Sequence, residues 1–262
     1  MSNKRMEYIA ARLDSTGSVK VAELSRELNC SEVTIRSDIQ KLEDKGLAKR
    51  IHGGAVKVGG QLMVPFDAGN VFKNSDRKRR IAWKAYEYIE DQDTIILDDS
   101  SVCYYLAQCI RDDSSKHLLV ITNSLASAGV LSHLSHVELF LLGGQVGGKL
   151  ASTVGDVAVN TLKGFRANKA FISAHGINFS VGLTSIGSPQ MQVKKAVLAA
   201  SDQAYVLADS SKFGGGYVMV VCSLDEISAI ITDDGIKKEY LEDAEKQHVY
   251  ICLLYTSDAA DE

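Results

Sequence analysis

Nowhere is this chain apolar for the ~18 residues that a membrane-crossing helix requires, so no span is read from it. The start, Met1-Ser2-Asn3-Lys4-Arg5, lacks the apolar core of a secretory signal, and a cytoplasmic protein is expected. The five cysteines (Cys30, Cys103, Cys109, Cys222, Cys252) form no C-x-x-C pair and are odd in number. Neither a zinc site nor a disulfide framework is indicated. Cys30 falls in a turn; Cys103, Cys109 and Cys222 lie in or beside apolar segments and are expected as reduced, half-buried thiols. There is no internal repeat and no low-complexity tract. His133 and His136 have helical spacing for a metal, but no acidic or cysteine partner accompanies them, so a solvated helix end is expected. Trp83, the single tryptophan, is expected in the core. No metal or cofactor is called for.

What is present is a globular composition, 45% hydrophobic and 24% charged over 262 residues, which leaves room for two domains. The charge is unevenly divided. Residues 1–57 hold 11 Lys/Arg against 8 Asp/Glu, and residues 58–262 hold 18 against 25. The acidic bulk would repel nucleic acid, so any DNA contact belongs to the N-terminal piece.

That piece reads as three helices and a hairpin. Met6, Ile9, Ala10 and Leu13 make one apolar stripe that Gly17 ends. Val21, Leu24 and Leu28 share a face of a second, short helix. Asn29-Cys30 turns the chain, and Ser31 suits the N-cap of a third helix, which carries Ile35, Ile39 and Leu42 inward and stops at Gly46. Residues 47–51 and 55–58 flank His52-Gly53-Gly54 as two short strands around a turn. Residues 59–75, with Gly59, Gly60, Pro65 and Gly69, lack periodicity and read as a linker. Arg77-Lys78-Arg79-Arg80 then open a helix, as a solvated start. Beyond it strands alternate with helices: strands over 94–97, 118–121, 137–142, 169–173, 205–208 and 227–231, helices over 102–110, 124–134, 157–162 and 190–200. Nearly continuous apolar strands in this rhythm predict an α/β fold with a mainly parallel sheet covered on both faces. The expected domains are 1–58, a small winged helix-turn-helix, and 76–251, a larger α/β domain.

A helix-turn-helix followed by a hairpin suits B-DNA, whose major groove admits one helix. With Ile35, Ile39 and Leu42 packed inward, Ser31, Glu32, Thr34, Arg36, Ser37 and Lys41 are left on or near the outer side. Arg36 can pair with guanine or phosphate, and Thr34 can meet a thymine methyl. In the wing, Lys49, Arg50, His52 and the amides of Gly53 and Gly54 suit backbone phosphate.

The residues Ser31-Glu32-Val33-Thr34-Ile35-Arg36-Ser37-Asp38-Ile39, then Leu42-Glu43 and Gly46, then Arg50-Ile51-His52-Gly53-Gly54-Ala55 resemble the DeoR family of bacterial repressors. In that family the helix-turn-helix would cover roughly 19–39. The resemblance runs on to about Asp233, through blocks such as Ile96-Leu97-Asp98, Thr122-Asn123-Ser124-Leu125, Leu142-Gly143-Gly144, Lys169-Ala170-Phe171-Ile172 and Asp209-Ser210-Ser211-Lys212. It implies a C-terminal domain similar to ribose-5-phosphate isomerase that binds a phosphorylated sugar as inducer. Loops that follow strands and open helices suit an anion. The expected effector residues are Asp98, Ser100, Ser101, Thr122, Asn123, Gly143, Gly144, Lys169, Lys194 and Lys212, with Lys212 and Lys169 as phosphate cations. The chain departs from the family at Ser100, where a glycine is usual, and at Val102, Asn168, His175 and Gln190, which implies an altered pocket. The partners implied are double-stranded operator DNA, a phosphorylated sugar or derivative, and further copies of the chain. The rival reading is a sugar-phosphate isomerase with an appended domain. Proton transfer needs a carboxylate base, and the place to look for it holds Gln190, an amide. Asp98 and Asp209 remain as carboxylates but suit loop orientation better, so no enzyme is expected.

The last eleven residues, 252–262, resemble a reading frame of a transposase adapter used in sequencing libraries. They are expected to differ from the natural continuation after Ile251 and to make no consistent contact with the core.

Overall fold

The computed structural model describes residues 2–16, 18–44, 48–51, 53–57, 74–147 and 151–254. The chain divides into two compact units, Met1–Phe66 and Asp67–Glu262.

In the first unit, α1 (Ser2–Thr16) leads through β1 (Ser18–Lys20) to α2 (Val21–Glu27) and α3 (Glu32–Asp44), and the chain closes with β2 (Ala48–Ile51) and β3 (Gly54–Lys57). The apolar stripes meet as expected: Ile9 and Leu13 of α1, Leu24 of α2, and Ile35, Ile39 and Leu42 of α3 are buried in one cluster. Asn29 turns the chain between α2 and α3 at φ 46. The hairpin is in fact a three-stranded sheet of order β1-β3-β2, because Ser18–Lys20 pairs with Gly54–Val56. Two glycines make this possible. Gly53 turns at φ +82, and a Cβ on Gly54 would lie 2.0 Å from the carbonyl oxygen of Val19.

The second unit starts with α4 (Ser75–Tyr86), of which Asn74, at φ 57, is the N-cap. Residues 59–73 of the expected linker lie outside the described residues. There follow β4 (Thr94–Leu97), α5 (Ser101–Asp112), β5 (Leu118–Thr122), α6 (Leu125–Leu131), β6 (Val137–Leu141), β7 (Gln145–Gly147), β8 (Ser152–Val154) and α7 (Asp156–Leu162). Then come β9 (Ala167–Ile172), β10 (Gly176–Asn178), β11 (Gly182–Ser185), α8 (Ser188–Ala199), β12 (Ser201–Leu207), β13 (Met219–Cys222), β14 (Ala229–Asp233), α9 (Lys238–Lys246) and β15 (Ile251–Leu254). Among the described residues seven strands form one sheet of order β15-β14-β12-β9-β4-β5-β6, and every pairing in it is parallel. Its residues alternate between two cores. Ile95, Leu97, Val120 and Phe171 join α4, α5 and α6 on one face. Ile96, Ile121, Ala170 and Ile172 join α7 and α8 on the other. Burial on both faces is why inner strands such as β4 and β5 are nearly continuously apolar, while the edge strand β6 and the start of β12 are exposed.

Four expectations are corrected. Trp83 is not core: it is 46% exposed, edge-on to Tyr86. His136 is not solvated, because its ring is buried against the Ile110 carbonyl oxygen, 2.9 Å from Nε2, while His133 is exposed. The basic start of α4 is only partly solvated: Arg77 and Arg79 are exposed, but Lys78 is buried and Arg77 donates to Ser210. The chain does not leave the fold after Ile251. Strand β15 continues in register through Cys252, Leu253 and Leu254 against Ile231, Thr232 and Asp233, and Cys252 is buried. Residues 255–262 lie outside the described residues. No helix among the described residues is long and apolar enough to cross a membrane.

Candidate DNA interface and effector site

On α3 the outward face carries Ser31, Glu32, Arg36, Ser37 and Lys41, all exposed, and Thr34, half-buried. Ser31 caps the helix: its hydroxyl accepts the Thr34 amide at 3.3 Å and lies 2.9 Å from the Thr34 hydroxyl. Arg36 is held along the helix by Glu32 at 2.7 Å, a pair that costs little to open because both are exposed. Asp38 behaves differently. It is buried, binds Arg5 of α1 and lies 3.6 Å from Lys41, so this acidic residue locks helices together instead of facing a partner. A cleft of about 640 Å³ separates α3 from the wing, lined by Val21, Arg36, Ile39, Glu43, Arg50, Gly53 and Gly54. His52 and the side chain of Lys49 lie outside the described residues.

In the second unit the connections part beside β4. The chain steps from β4 to β5 to β6 on one side, then crosses to β9 and moves outward to β12, β14 and β15. Such a parting opens a crevice at the carboxyl ends of the strands, the usual ligand position in open α/β sheets. Asp98 follows β4 there and is fully buried. Its carboxylate accepts the Ser100 amide at 2.9 Å and the Ser173 amide at 2.8 Å, and the Lys194 ammonium of α8 closes on it. Burial alone would raise the Asp98 pKa, but the Lys194 charge and these donors hold it below the ordinary value. Burial would likewise lower Lys194, and Asp98 with Asp99 holds it above. Burial keeps Asp99 above the ordinary carboxylate value; the Lys194 charge opposes this and the Asp98 charge adds to it. Ser152 of β8 donates to Asp99 at 2.7 Å.

Ser100 caps α5 by accepting the Cys103 amide at 3.2 Å, with φ −81. Serine in place of the family's glycine therefore costs no backbone strain. Ser101 opens α5, where the first amides of a helix have no intrahelical acceptor. At the end of β5 the Thr122 hydroxyl donates to the Leu97 carbonyl at 2.8 Å, and just after it Asn123 donates to the Thr153 carbonyl at 3.0 Å. The Asn123 side-chain oxygen is buried with no partner among the described residues. Gly143 and Gly144 follow β6 and are exposed. At Gly144 the close approach is to the chain itself, since a Cβ would stand 2.8 Å from the Val154 carbonyl oxygen.

Lys212 ends the turn Ser210–Lys212 after β12, which Asp209 orients by accepting the Ser211 amide at 3.0 Å. Its ammonium has no ion pair among the described residues. One strand, β9, lies between β12 and β4, so this turn stands two strand spacings from Asp98, roughly 10 Å. Lys169 is the member that does not belong. It sits near the start of β9 beside Ile95, at the amino end of the sheet, where it is buried on Asp93 at 2.6 Å. A parallel strand puts its first residues at the edge opposite its ligand loop, and that signal was available in the sequence.

The contacts of three residues had no sequence signal. Arg77, from the start of α4, donates to the Ser210 hydroxyl at 3.4 Å and lies 3.6 Å from buried Asp233. Ser173 donates to Asp98, and Ser152 to Asp99. None carries a local pattern, because each depends on which loops the sheet order brings side by side. Of the other departures, Asn168 accepts the Thr94 amide at 2.8 Å and is structural, while His175 lies 3.5 Å from the Ser185 hydroxyl. No group of three or more metal-binding side chains stands together among the described residues.

The family models agree with this division. The DeoR-like helix-turn-helix domain matches residues 5–59, and the DeoR C terminal sensor domain matches residues 73–234. The HTH-type transcriptional regulator IolR of Bacillus subtilis is 29% identical over 97% of this chain and 100% of its own length. A lactose phosphotransferase system repressor of Staphylococcus epidermidis is 32% identical over 91% of this chain and 95% of its own. Among solved structures, ribose 5-phosphate isomerase from Plasmodium falciparum is 18% identical, with a TM-score of 0.39 over 56% of this chain and 53% of that one. The chain belongs to the DeoR family of DNA-binding transcriptional regulators.

Proposed function

We propose that this protein is a cytoplasmic repressor of a carbohydrate operon, that it grips operator DNA as a homo-oligomer, and that a phosphorylated sugar or derivative bound in the second unit loosens that grip. The carrying observation is Lys212: a cation without an ion pair among the described residues, beside the Ser210 and Ser211 hydroxyls at the carboxyl edge of a parallel sheet. Phosphate calls for such a group, with neutral donors from the first amides of α5; the Ser210 and Ser211 hydroxyls and amides are already given to Asp233 and Asp209. Asp98 and Lys194 neutralise each other and leave the sugar hydroxyls a polar floor rather than a net charge. Asp98, Ser100, Ser101, Thr122, Asn123, Gly143 and Gly144 border this edge, and Lys169 is withdrawn from the pocket. On the DNA side, Arg36 reads bases or phosphate, Ser31, Glu32, Thr34, Ser37 and Lys41 surround it, and Lys49, Arg50, His52, Gly53 and Gly54 meet the backbone.

The relatives' regulatory names support control of sugar genes, and the absence of a carboxylate at Gln190 weighs against isomerase chemistry, so we assign no catalytic step and no cofactor. One winged helix buries a modest interface, which is why spaced half-sites and more than one copy are proposed. A thermal-shift series with sugar phosphates tests the pocket. A ligand at 100 times its Kd stabilises the folded chain by ~2.7 kcal/mol, and the Lys212→Ala variant should lose that rise. An equal rise in the variant would place the pocket elsewhere.

A further inference from the structure

We infer that Glu43 and Gln40 of α3 are positioning residues that hold the wing in register with the recognition helix. Neither is assigned a role in DNA binding by its place on the helix, since neither lies near the N-terminal turn that meets base edges.

The wing has a weak side. In the sheet order β1-β3-β2, strand β2 is the edge, so its outward amides have no strand partner. One of them, the Arg50 amide, donates to Glu43 Oε1 at 2.9 Å. The Arg50 guanidinium also donates to Gln40 Oε1. Gln40 is in turn fixed on its own helix, donating to Asp44 at 2.9 Å and to Glu43 at 3.4 Å. Gln40 and Glu43 are one turn apart, so a single face of α3 grips one wing residue by both its backbone and its side chain. The opposite edge is already secured: β3 pairs with β1, and the Val21 amide donates to the Gly53 carbonyl at 2.9 Å.

The same helix therefore carries Thr34 and Arg36 near its start and the wing clamp near its end. It sets the spacing across the cleft of about 640 Å³ that Arg36, Arg50, Gly53 and Gly54 line. A guanidinium has five N–H donors, and Arg50 is exposed, so donors remain for a phosphate while Gln40 holds one. A DNA strand entering this cleft meets two arginines at a fixed separation. Without the clamp the wing has one secured edge, and ordering it costs part of the binding free energy.

Simple electrostatics predicts the opposite effect of removing Glu43. Glu43 is an anion on the DNA-facing side, and deleting it should by charge alone tighten binding to phosphate. An operator is first selected from random duplexes by the full wild-type chain. Binding to it and to random-sequence duplex is then measured at matched salt for Glu43→Ala, Glu43→Gln and Gln40→Met. The expected result for Glu43→Ala is an operator affinity lower by on the order of ten-fold, with random-duplex affinity equal or higher. Glu43→Gln, whose amide oxygen still accepts the Arg50 amide, should retain most of the operator affinity. Gln40→Met, which changes no charge, should lose severalfold and keep the wild-type salt slope; because it leaves Glu43 in place, it tests the clamp even where Glu43→Ala folds poorly. Operator binding by Glu43→Ala as tight as wild type, a Glu43→Gln variant as weak as Glu43→Ala, or an unaffected Gln40→Met would overturn the assignment.

Discussion

The Lys194 ammonium and the Asp98 carboxylate meet in the gap where the sheet's connections part, both removed from solvent. Each is held in its charged form by the other: Asp98 lies below its ordinary pKa and Lys194 above. This pair tethers α8 to the end of β4, and the Ser173 amide ties β9 to the same carboxylate. The carboxyl edge of the sheet thus holds an ionic knot, beside which the proposed effector site lies.

Cutting the knot should give a stability deficit that depends on pH. In Lys194→Met, burial acts on Asp98 and Asp99 with no cation to oppose it, and both folded pKa values rise above the unfolded value of about 4. A carboxyl raised in the folded state costs stability above its folded pKa, and the cost fades as pH falls toward the unfolded value. Urea unfolding should show a loss of about 3 kcal/mol at pH 8 and a clearly smaller loss at pH 5. In the wild type the sign is reversed for Asp98, whose contribution is present above the unfolded pKa and is lost on acidification. An equal deficit at both pH values would mean that the cluster is not ionic.

Lys169 should separate stability from sensing. Its ammonium is buried on Asp93 at the amino edge of the sheet, so Lys169→Met strands a buried carboxylate and should cost up to about 3 kcal/mol. The thermal shift produced by a sugar phosphate should stay the size it is in wild type. Loss of that shift in a variant that still folds would return Lys169 to the pocket.

Arg36→Ala should weaken operator binding by about 1–3 kcal/mol at matched salt and leave the melting temperature nearly unchanged, since Arg36 is exposed and meets Glu32 alone among the described side chains. Asp38→Ala should do the reverse. It removes the partner of Arg5 and lowers the melting temperature. Gel shift and thermal melting on the same preparations distinguish the two, and equal melting temperatures would contradict the structural role given to Asp38.

Strand β15 should contribute to stability. Truncation after Ile251 removes buried Cys252 and the Leu253–Thr232 and Leu254–Asp233 pairings, and a loss of about 1–3 kcal/mol is expected from the apolar burial alone. Unchanged urea unfolding would show the strand to be idle.

The parallel sheet was legible because strands buried on both faces must be apolar throughout, as in Thr94–Leu97 and Leu118–Thr122. Helix α3 was legible from the spacing of Ile35, Ile39 and Leu42, and the turn at Asn29-Cys30 from its residue types. The small antiparallel sheet of order β10-β11-β13 was not: its strands have three or four residues, and Gly176-Ile177-Asn178 and Gly182-Leu183-Thr184-Ser185 have no period to read. Strand β1 escaped for the same reason. In the site, loop residues announced themselves by type, as with Asp209-Ser210-Ser211. The partners did not, because Arg77 finds Ser210 across 133 residues and Lys194 finds Asp98 across 96. The expectation that the tail makes no contact fails at Cys252–Leu254, because Ile251–Leu254 is an apolar run long enough to add an edge strand wherever it came from.

The most direct test uses the full chain bound to its selected operator, titrated with a panel of sugar phosphates and followed by fluorescence anisotropy. At least one sugar phosphate should release the wild type; a ligand that prefers the weak-binding state 100-fold supplies about 2.7 kcal/mol. Lys212→Ala should bind the operator as tightly as wild type and remain bound at the same ligand concentration. Release of that variant alongside the wild type, or no release of the wild type by any sugar phosphate, would contradict the proposed sensing role.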